Sequence, residues 1–387
     1  MSSKTTESGS STIAIFALSN TLSAINMYLC QPLLIELSKE FSVSYQSVSY
    51  IPTLTQAGCA AGLLLLHPLG NVIPRRSLLL VLVLFSALLT LGLAITTSFY
   101  AFQLFSFFIG ICSFTPQILI PMTAELVGPQ RRPLAILSVF AGVLIGPPLT
   151  RILAGAIAYY TNLRNIYWIS VGGQYIVLTL LYLYCPDIPQ NPQNTNYTQT
   201  LRSIVDLAFT EPILMQSCLI SVASSAIYSS SWVTLTFLLG NPPNELNTLS
   251  IGAFGLLGLF GVYSALFIGR HIDKLLPMMV TVLSIIVILI SQIIRFNTSG
   301  TNIIYLAIAT ICMDMAWHAQ QVSLAVTVFG ISANAKSRLH TILLISLCLG
   351  QAMGTSIGIK IFTLYGPRGS VLLHIAWTAW QLLAFLV

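Results

Sequence analysis

Residues 77–94 read SLLLVLVLFSALLTLGLA, and this stretch decides the fold class. It contains no charged residue, and an apolar run of about this length is what a helix needs to cross a bilayer. Lipid offers the backbone no hydrogen-bond partners, so a spanning segment is either a helix or a strand of a closed barrel. A barrel strand would alternate apolar and polar residues over roughly ten positions. The continuous run therefore predicts a transmembrane α-helix.

The composition of the whole chain extends this prediction beyond one segment. Hydrophobic residues make up 56% of the 387 residues and charged residues 7%, and the mean hydropathy is +0.86. A soluble domain has roughly 25% charged residues, so most of this surface must face lipid. We expect an all-α membrane protein. The seven cysteines lie in or beside apolar runs without the spacing of metal ligands, so we expect neither a metal site nor a cofactor.

Similar apolar runs recur along the chain and predict twelve transmembrane helices. They cover approximately residues 12–34, 47–69, 77–97, 99–123, 134–160, 165–185, 209–239, 248–270, 277–296, 302–330, 338–365 and 369–387. A polar segment rich in Pro, Asn and Gln separates the sixth run from the seventh and indicates two related halves. The predicted regions are a cytoplasmic tail (1–11), an N-terminal six-helix bundle (12–185), a cytoplasmic linker (186–208) and a C-terminal six-helix bundle (209–387).

Lysine and arginine are concentrated in the loops on one side of the predicted membrane. With the N-terminus inside, the inner loops include Arg75, Arg76, Arg131 and Arg132, whereas the outer loops hold few basic residues. Basic loops favour the cytoplasmic side, so we predict a multi-pass protein of the plasma membrane with both termini cytoplasmic. The first apolar run is interpreted as a retained span rather than a cleaved signal. The net charge of +6 follows from this topology, and no basic cluster indicates nucleic acid.

Related patterns occupy equivalent loops of the two halves. Residues 67–76 read HPLGNVIPRR and residues 269–274 read GRHIDK, each at the predicted cytoplasmic end of a span. A second pair of loops reads ELVGPQRR at 125–132 and NAKSR at 334–338. Repetition at corresponding positions indicates that each half carries the same arrangement of spans and loops.

Three segments inside apolar runs complete the pattern. They read GVLIGPPLTR at 142–151, DMAWHAQQ at 314–321 and LGQAMG at 349–354. Taken with the loops, these segments resemble the major facilitator superfamily, and within it the drug- and sugar-efflux-like branch of proton antiporters. The resemblance runs over nearly the whole chain and implies two pseudo-symmetric bundles of six transmembrane helices each.

The resemblance also implies roles for particular residues. The loops would latch the two bundles together on the cytoplasmic side through Asn71, Arg75, Arg76, Arg131, Arg132, Asp273, Lys274 and Arg338. The antiporter-like signature of the fifth span would comprise Gly142, Gly146 and Pro147. Glycines at this spacing allow close helix contact, and proline bends a helix. The first latch departs from the family pattern because Asn71 stands where an aspartate is usual, and an amide brings no charge.

Asp314 is the one acidic residue that we expect well inside a span, and His318 follows one helical turn later on the same face. An ionisable group inside a bilayer costs at least about 2.5–3.5 kcal/mol. The functional interpretation is a proton-coupling site, in which Asp314 binds the proton and His318 tunes it. The alternative is an interhelical hydrogen-bonded pair.

Other polar residues within spans predict a central substrate cavity. The candidates are Asn20, Asn26, Gln31, Gln56, Gln117, Arg151, Trp317 and Gln321, with Gln320 beside them. Arg151 would hold an anionic group of the substrate or pair with Asp314. The alternative is that these groups hydrogen-bond between helices, with Arg151 bound to backbone carbonyls.

These observations favour a secondary active transporter, acting as a monomer, that couples protons to efflux of a small organic compound such as a drug or secondary metabolite. The sequence contains no Walker-type nucleotide loop. Asn71 favours one alternative, a transport-impaired sensor or scaffold of the same fold. A membrane-embedded enzyme is disfavoured because five scattered histidines and one buried acid offer no paired catalytic groups. Asn297 begins a possible N-glycosylation sequon in an outer loop.

Overall fold

The structure is a computed structural model. It describes residues 2–70, 72–128, 131–187, 197–271, 276–298, 302–332 and 335–386. All regular elements in these ranges are helical, which confirms the all-α prediction. Eleven helical segments among them are long and apolar enough to cross a membrane. The last of these segments, Lys336–Leu386, is broken at Gly366, so the described chain forms twelve spans.

The spans are numbered here in chain order, and four of them consist of two helices. They are span 1 (Ser2–Tyr28 and Leu34–Phe41), span 2 (Tyr45–Val48 and Tyr50–Leu69), span 3 (Arg75–Ile95), span 4 (Phe99–Cys112 and Thr115–Leu126), span 5 (Arg132–Tyr160), span 6 (Leu163–Tyr184), span 7 (Pro212–Gly240), span 8 (Thr248–Ala253 and Gly258–His271), span 9 (Pro277–Thr298), span 10 (Ile303–Phe329), and spans 11 and 12 (Lys336–Leu386 before and after Gly366). The end at which span 1 begins is the predicted cytoplasmic side and is called the inner end. The opposite end is called the outer end.

Gly366 joins spans 11 and 12 without an intervening loop. Its φ of 69° lies in the left-handed region, which glycine adopts readily and residues with a Cβ do not. Pro367 follows, and proline is well tolerated in the first turn of a helix because its missing N–H is not needed there. One residue therefore separates the last two spans.

Helix contacts divide the spans into two halves. In the first half, span 1 packs against spans 5 and 6, and span 2 packs against span 4. In the second half, span 7 packs against spans 11 and 12, and span 9 packs against span 10. The halves meet along two seams, span 2 with span 11 and span 5 with span 8. This arrangement agrees with the two bundles expected from the sequence.

The side chains are distributed as a lipid environment requires. Large apolar side chains such as Phe85, Ile176 and Leu283 are exposed on the outside of their helices. Span 7, by contrast, buries a run of hydroxyl groups: Ser224, Ser225, Ser229, Ser230 and Ser231. Polar groups therefore face the interior of the protein, where helices meet.

A helix over Tyr197–Thr210 occupies much of the segment that the sequence predicts as a cytoplasmic linker. Its covered residues recur at spacings of three and four along one face: Thr200, Ile204, Leu207 and Ala208. This amphipathic spacing explains why a polar segment forms a docked helix. The Tyr197 hydroxyl donates to the backbone oxygen of Leu65 (3.2 Å), and Arg338 donates to Ser203 (2.7 Å), so this linker helix contacts both halves at the inner end.

Candidate substrate and proton site

Arg151 of span 5 is buried between the two halves, with 5% of its surface exposed. Its Nη2 donates a hydrogen bond to Oε1 of Gln31 in span 1 (3.1 Å). Its guanidinium carbon lies 3.8 Å from the centre of the Trp232 ring in span 7. A desolvated cation over an indole face is stabilised by about 2 kcal/mol. The guanidinium therefore connects the N-terminal half to the C-terminal half through Trp232.

Trp232 in turn connects to Asp314. The indole Nε1–H donates to Oδ1 of Asp314 (2.9 Å), and both residues are buried. A hydrogen bond to a charged group contributes about 1.5–3 kcal/mol. Among the ion pairs within 4.0 Å in the described ranges, none joins Arg151 to Asp314 directly. Trp232 therefore mediates the contact between the two charges, which no sequence motif had indicated.

His318 lies on the same face of span 10 as Asp314, as the sequence predicted. Its Nδ1 is 3.4 Å from Oδ2 of Asp314 and 2.9 Å from the backbone oxygen of Asp314. A carbonyl oxygen only accepts, so Nδ1 carries the hydrogen and donates it to the backbone. The carboxylate oxygen Oδ2 is left without a hydrogen-bond partner among the described residues.

Aromatic rings form one wall beside these charges. The ring of Tyr228 stacks on Trp317 with centroids 3.9 Å apart, and it meets His318 edge-on at 6.0 Å. Trp317 Nε1 donates to the hydroxyl of Ser225 (3.3 Å). Stacked aromatic rings offer a broad apolar surface with polar edges. Trp317, predicted to line the cavity, thus lies close to the proton-site candidates.

Gly261 of span 8 completes the surroundings of Asp314. An ideal Cβ at this glycine would overlap Oδ2 of Asp314 and lie 2.6 Å from Nδ1 of His318. Span 8 can therefore approach the carboxylate only because this position lacks a side chain. Sequence reasoning did not identify Gly261, because its role depends on which helix faces it.

Two polar atoms at this site have no hydrogen-bond partner within the part of the chain that the structure describes. They are Nη1 of Arg151 and Oδ2 of Asp314. One can only donate and the other, when ionised, can only accept. The site thus retains capacity for a ligand or a proton on each side of Trp232.

Asn26 belongs to a different network, within the N-terminal half. Its side-chain oxygen accepts from the hydroxyls of Thr90 (3.2 Å) and Ser170 (3.2 Å), and its nitrogen donates to Ser86 (3.1 Å). Spans 1, 3 and 6 are thereby joined. The geometry favours the hydrogen-bonding interpretation of Asn26 over a place in a central cavity.

The remaining cavity candidates are dispersed. Asn20 donates to the backbone oxygen of Val139 (3.2 Å), inside the N-terminal half. Gln321 bonds to two serines of span 7, and Gln320 donates to Gln381 of span 12 (3.0 Å).

Two further glutamines lie in spans 2 and 4. Gln56 is buried with an unpartnered side-chain oxygen in the described structure, and Gln117 is half-buried in span 4. Across the interface, Tyr28 donates to Gln351 (3.0 Å). Of the predicted cavity residues, Arg151 contacts Trp232 beside Asp314, Trp317 contacts His318, and Gln31 bonds to Arg151.

The predicted latch residues make mostly local contacts. Arg75 pairs with Glu125 at 2.8 Å and Arg76 pairs with Asp187 at 2.9 Å, so neither arginine reaches the C-terminal half through these pairs. Arg131 and Arg132 are exposed, Arg338 bonds to the linker helix, and Asn71, Asp273 and Lys274 lie outside the described residues.

A different contact joins the two halves near the inner end. The Thr341 hydroxyl of span 11 lies 3.0 Å from Nδ1 of His67 in span 2. Both residues are buried, and each comes from a different half. His67 begins the first loop segment, and nothing in the sequence indicated that it bridges the halves.

The signature glycines of span 5 pack on span 1. An ideal Cβ at Gly142 would meet the backbone oxygen of Ala17, and one at Gly146 would meet the side chain of Ala24. Pro147 follows within the same continuous helix. The small residues thus give close contact inside the N-terminal half. Asn297 is exposed at the outer end of span 9.

Two hydrogen bonds join the halves at the outer end. The Tyr45 hydroxyl donates to Oδ1 of Asn241 (3.1 Å), and the Thr248 hydroxyl donates to Oε1 of Glu36 (3.1 Å). Gly155 of span 5 lies against span 8 so closely that an ideal Cβ there would be 2.6 Å from the backbone of Gly252. The outer ends of the two bundles are therefore in contact.

A charged site buried between two helix bundles is the arrangement of a secondary membrane transporter. Residues 16–355 match the Major Facilitator Superfamily. The chain belongs to this superfamily, which confirms the predicted superfamily, though not a branch within it, and the prediction of a transporter rather than an enzyme.

Relatives of this chain carry transporter names. The putative uncharacterized transporter YgaY of Escherichia coli K12 is 28% identical over 346 residues, which cover 89% of this chain and 87% of that protein. The probable transporter SCO4007 of Streptomyces coelicolor is 26% identical over 265 residues, which cover 68% of this chain and 61% of that protein.

Solved structures share the fold. The human organic anion transporter MFSD10 superposes with a TM-score of 0.76 at 15% identity, covering 98% of this chain and 99% of that chain. A bacterial homologue of the human lysosomal transporter Spinster, in an inward-facing and unoccupied conformation, gives 0.75 at 13% identity, covering 98% and 96%. At these identities the likeness shows the fold alone.

Proposed function

We propose that the protein exports a small organic compound in exchange for protons. The observation that carries this proposal is the connection Arg151–Trp232–Asp314 across the interface between the halves. It combines a buried carboxylate, the kind of group that carries protons in transporters, with a link whose strength depends on that group's charge.

Asp314 would be the proton carrier. In the described conformation its Oδ1 accepts from Trp232, while Oδ2 has no hydrogen-bond partner among the described residues. Protonation would convert one of these oxygens into a donor and would remove the negative charge. The favourable interaction with the Arg151 cation across the indole would then be lost. Proton binding would thereby weaken a contact that holds the two halves together.

The substrate would bind between Arg151 and the aromatic wall. The unpartnered Nη1 of Arg151 can donate to an acceptor or to an anionic group, and the stacked rings of Tyr228 and Trp317 can contact an apolar body. A moderately polar organic compound with an acceptor or an acidic group fits both features. Binding would compete with Trp232 for the guanidinium, which couples substrate occupancy to the same interface.

Alternating access would use the contacts at the two ends. At the outer end, the Tyr45–Asn241 and Glu36–Thr248 bonds would break when the site opens outward. At the inner end, the His67–Thr341 contact would break when it opens inward. We further propose that both termini are cytoplasmic, that the plasma membrane is the location and that the monomer is the working unit.

The test begins with a growth comparison of cells with and without the protein on a panel of toxic organic compounds. Compounds that inhibit the growth of the two kinds of cell to different extents are then added to proteoliposomes that contain the protein and a pH-sensitive dye. An imposed pH gradient should drive each compound uphill, and compound movement should move protons in the opposite direction. Transport that ignores the gradient would overturn proton coupling in favour of facilitated diffusion.

Asp314→Asn should abolish uphill transport while downhill exchange of the compound persists. The matched control is Asp206→Asn, the same chemical change at an exposed position of the linker helix, which should retain native transport. Uphill transport by Asp314→Asn at the native rate would overturn the assignment of the proton carrier.

A further inference from the structure

A second buried polar cluster lies within the C-terminal half, near its outer end. It surrounds a cavity of about 30 Å³ between spans 7, 9, 10, 11 and 12, which is room for one or two water-sized species. The polar side chains on its wall are Thr234, Arg295, Ser370 and His374. These residues take no part in the transport site proposed above.

Arg295 brings an unbalanced charge to this cavity. The residue is 7% exposed, and its Nη2 donates to the Thr310 hydroxyl (2.9 Å). Within the described part of the chain, its Nε has no hydrogen-bond partner and no carboxylate lies within 4.0 Å of the guanidinium. Arg164, also toward the outer end, pairs with Glu40 instead. A buried cation without a counter-charge is costly in a bilayer.

The hydrogen-bonding capacity that is left at the cavity favours an acceptor as ligand. The Ser370 hydroxyl is buried and has no partner within the described ranges. The two ring nitrogens of His374 are occupied by Oε1 of Gln292 (3.1 Å) and by the Ser230 hydroxyl (2.8 Å). The Nε–H of Arg295 can only donate, and the Ser370 hydroxyl is able to donate beside it.

The start of span 12 adds to this preference. Pro367 and Ser370 both line the cavity and both belong to the first turn after the break at Gly366. The beginning of a helix carries a partial positive charge and unpaired N–H groups, which favour anions. The buried guanidinium and the N-terminus of span 12 therefore both place positive charge at the cavity.

We propose that this cavity binds a small inorganic anion of the size of chloride. A water molecule would accept a hydrogen bond from Arg295 but would leave its charge unbalanced, whereas a monovalent anion satisfies both. The volume of about 30 Å³ excludes an organic anion of drug size. The anion would be a structural ligand that holds spans 9, 10 and 12 together, not the transported compound.

The first test measures thermal unfolding of the purified protein at constant pH and ionic strength while chloride replaces gluconate. The native protein should show a saturable rise in Tm of roughly 2 °C or more. Arg295→Gln should lose this rise, and Arg202→Gln, which removes the same charge from an exposed position, should keep it. Equal Tm values in the two salts, or an undiminished rise in Arg295→Gln, would overturn the proposal.

A second measurement locates the anion directly. Crystals soaked in bromide should give an anomalous difference peak between Nε of Arg295 and Oγ of Ser370, and density without anomalous signal at that place would identify water and overturn the proposal. If Arg295→Gln does not fold, Ser370→Ala replaces it. That variant should raise the chloride concentration at the half-maximal Tm shift by roughly fivefold, since one hydrogen bond is lost, and an unchanged midpoint would contradict the assigned site.

Discussion

Gly261 and Asp314 face each other so closely that a methyl group on the glycine would overlap the carboxylate oxygen Oδ2. The space beside Oδ2 is therefore set by span 8, although the carboxylate belongs to span 10. A side chain at position 261 would occupy the space next to Oδ2. The pair consequently offers a way to alter the proposed proton site without removing a titratable group.

Gly261→Ala should reduce proton-driven transport at least about tenfold, because inserting a methylene into a packed site costs roughly 1–3 kcal/mol and here the displaced group is the carboxylate. The measurement is the initial rate of uphill transport in proteoliposomes, with folding checked by size-exclusion chromatography. Gly269→Ala in the same span is the control, because no described residue lies within 4 Å of an ideal Cβ there. Equal rates for the two variants would argue against a role of Oδ2.

Trp232→Phe should uncouple the two charges while it keeps an aromatic ring over Arg151. The substitution removes the indole N–H that bonds to Asp314, at a cost of about 1.5–3 kcal/mol for a charged acceptor. We expect uphill transport to fall by roughly tenfold or more. Downhill exchange should fall less, since the substrate surface is largely retained. A matched loss of both activities would indicate that Trp232 binds substrate rather than couples the halves.

Linking spans 2 and 11 should stop the transport cycle. Cys59 of span 2 and Cys348 of span 11 are buried, free and adjacent across the seam. A membrane-permeant oxidant should join them as a disulfide, and transport should cease until a reductant is added. Cys59→Ser should remain active under the same treatment. Full activity of the cross-linked protein, verified by mass spectrometry, would show that this seam does not open.

Asn71→Asp tests the alternative of an impaired transporter. The described contact between the halves near the inner end involves His67 and Thr341, and Arg75 already pairs with Glu125. Exposed ion pairs contribute about 0–1 kcal/mol, so we expect the transport rate to stay within about fivefold of the native rate. A much larger gain would mean that the native inner gate is defective and would support the sensor or scaffold hypothesis.

Asp314, His318 and Arg151 could be found from the sequence because a charged or titratable side chain inside an apolar run is conspicuous. Trp232 and Gly261 could not be found in this way. Tryptophan also occurs at membrane interfaces, and a glycine gains its importance from a helix that is distant in the chain. The sequence holds one indirect signal for Trp232, the run of serines in span 7, which indicates that this helix faces the interior of the protein.

Asn26 shows what helical periodicity leaves undecided. Spacing tells which residues share a face, but only the packed structure tells which neighbour that face meets, and Asn26 meets spans 3 and 6. The linker helix Tyr197–Thr210 shows the reverse, because there the periodic spacing is informative and the composition is misleading. Its composition is polar and predicts a linker, whereas only a few residues, such as Ile204, carry the periodic spacing of a packed face. Arg75 and Arg76 were assigned by motif, and their partners depend on loop geometry.

The direct junction at Gly366 would couple the movements of spans 11 and 12 at the outer end of the C-terminal half. Only Gly366 separates span 11 from span 12. A tilt of span 11 along its seam with span 2 would therefore also move span 12. Ser370 lies one helical turn beyond Gly366. The small cavity beside Arg295 would then change in volume once in every transport cycle. An anion bound in that cavity would affect how readily span 12 moves.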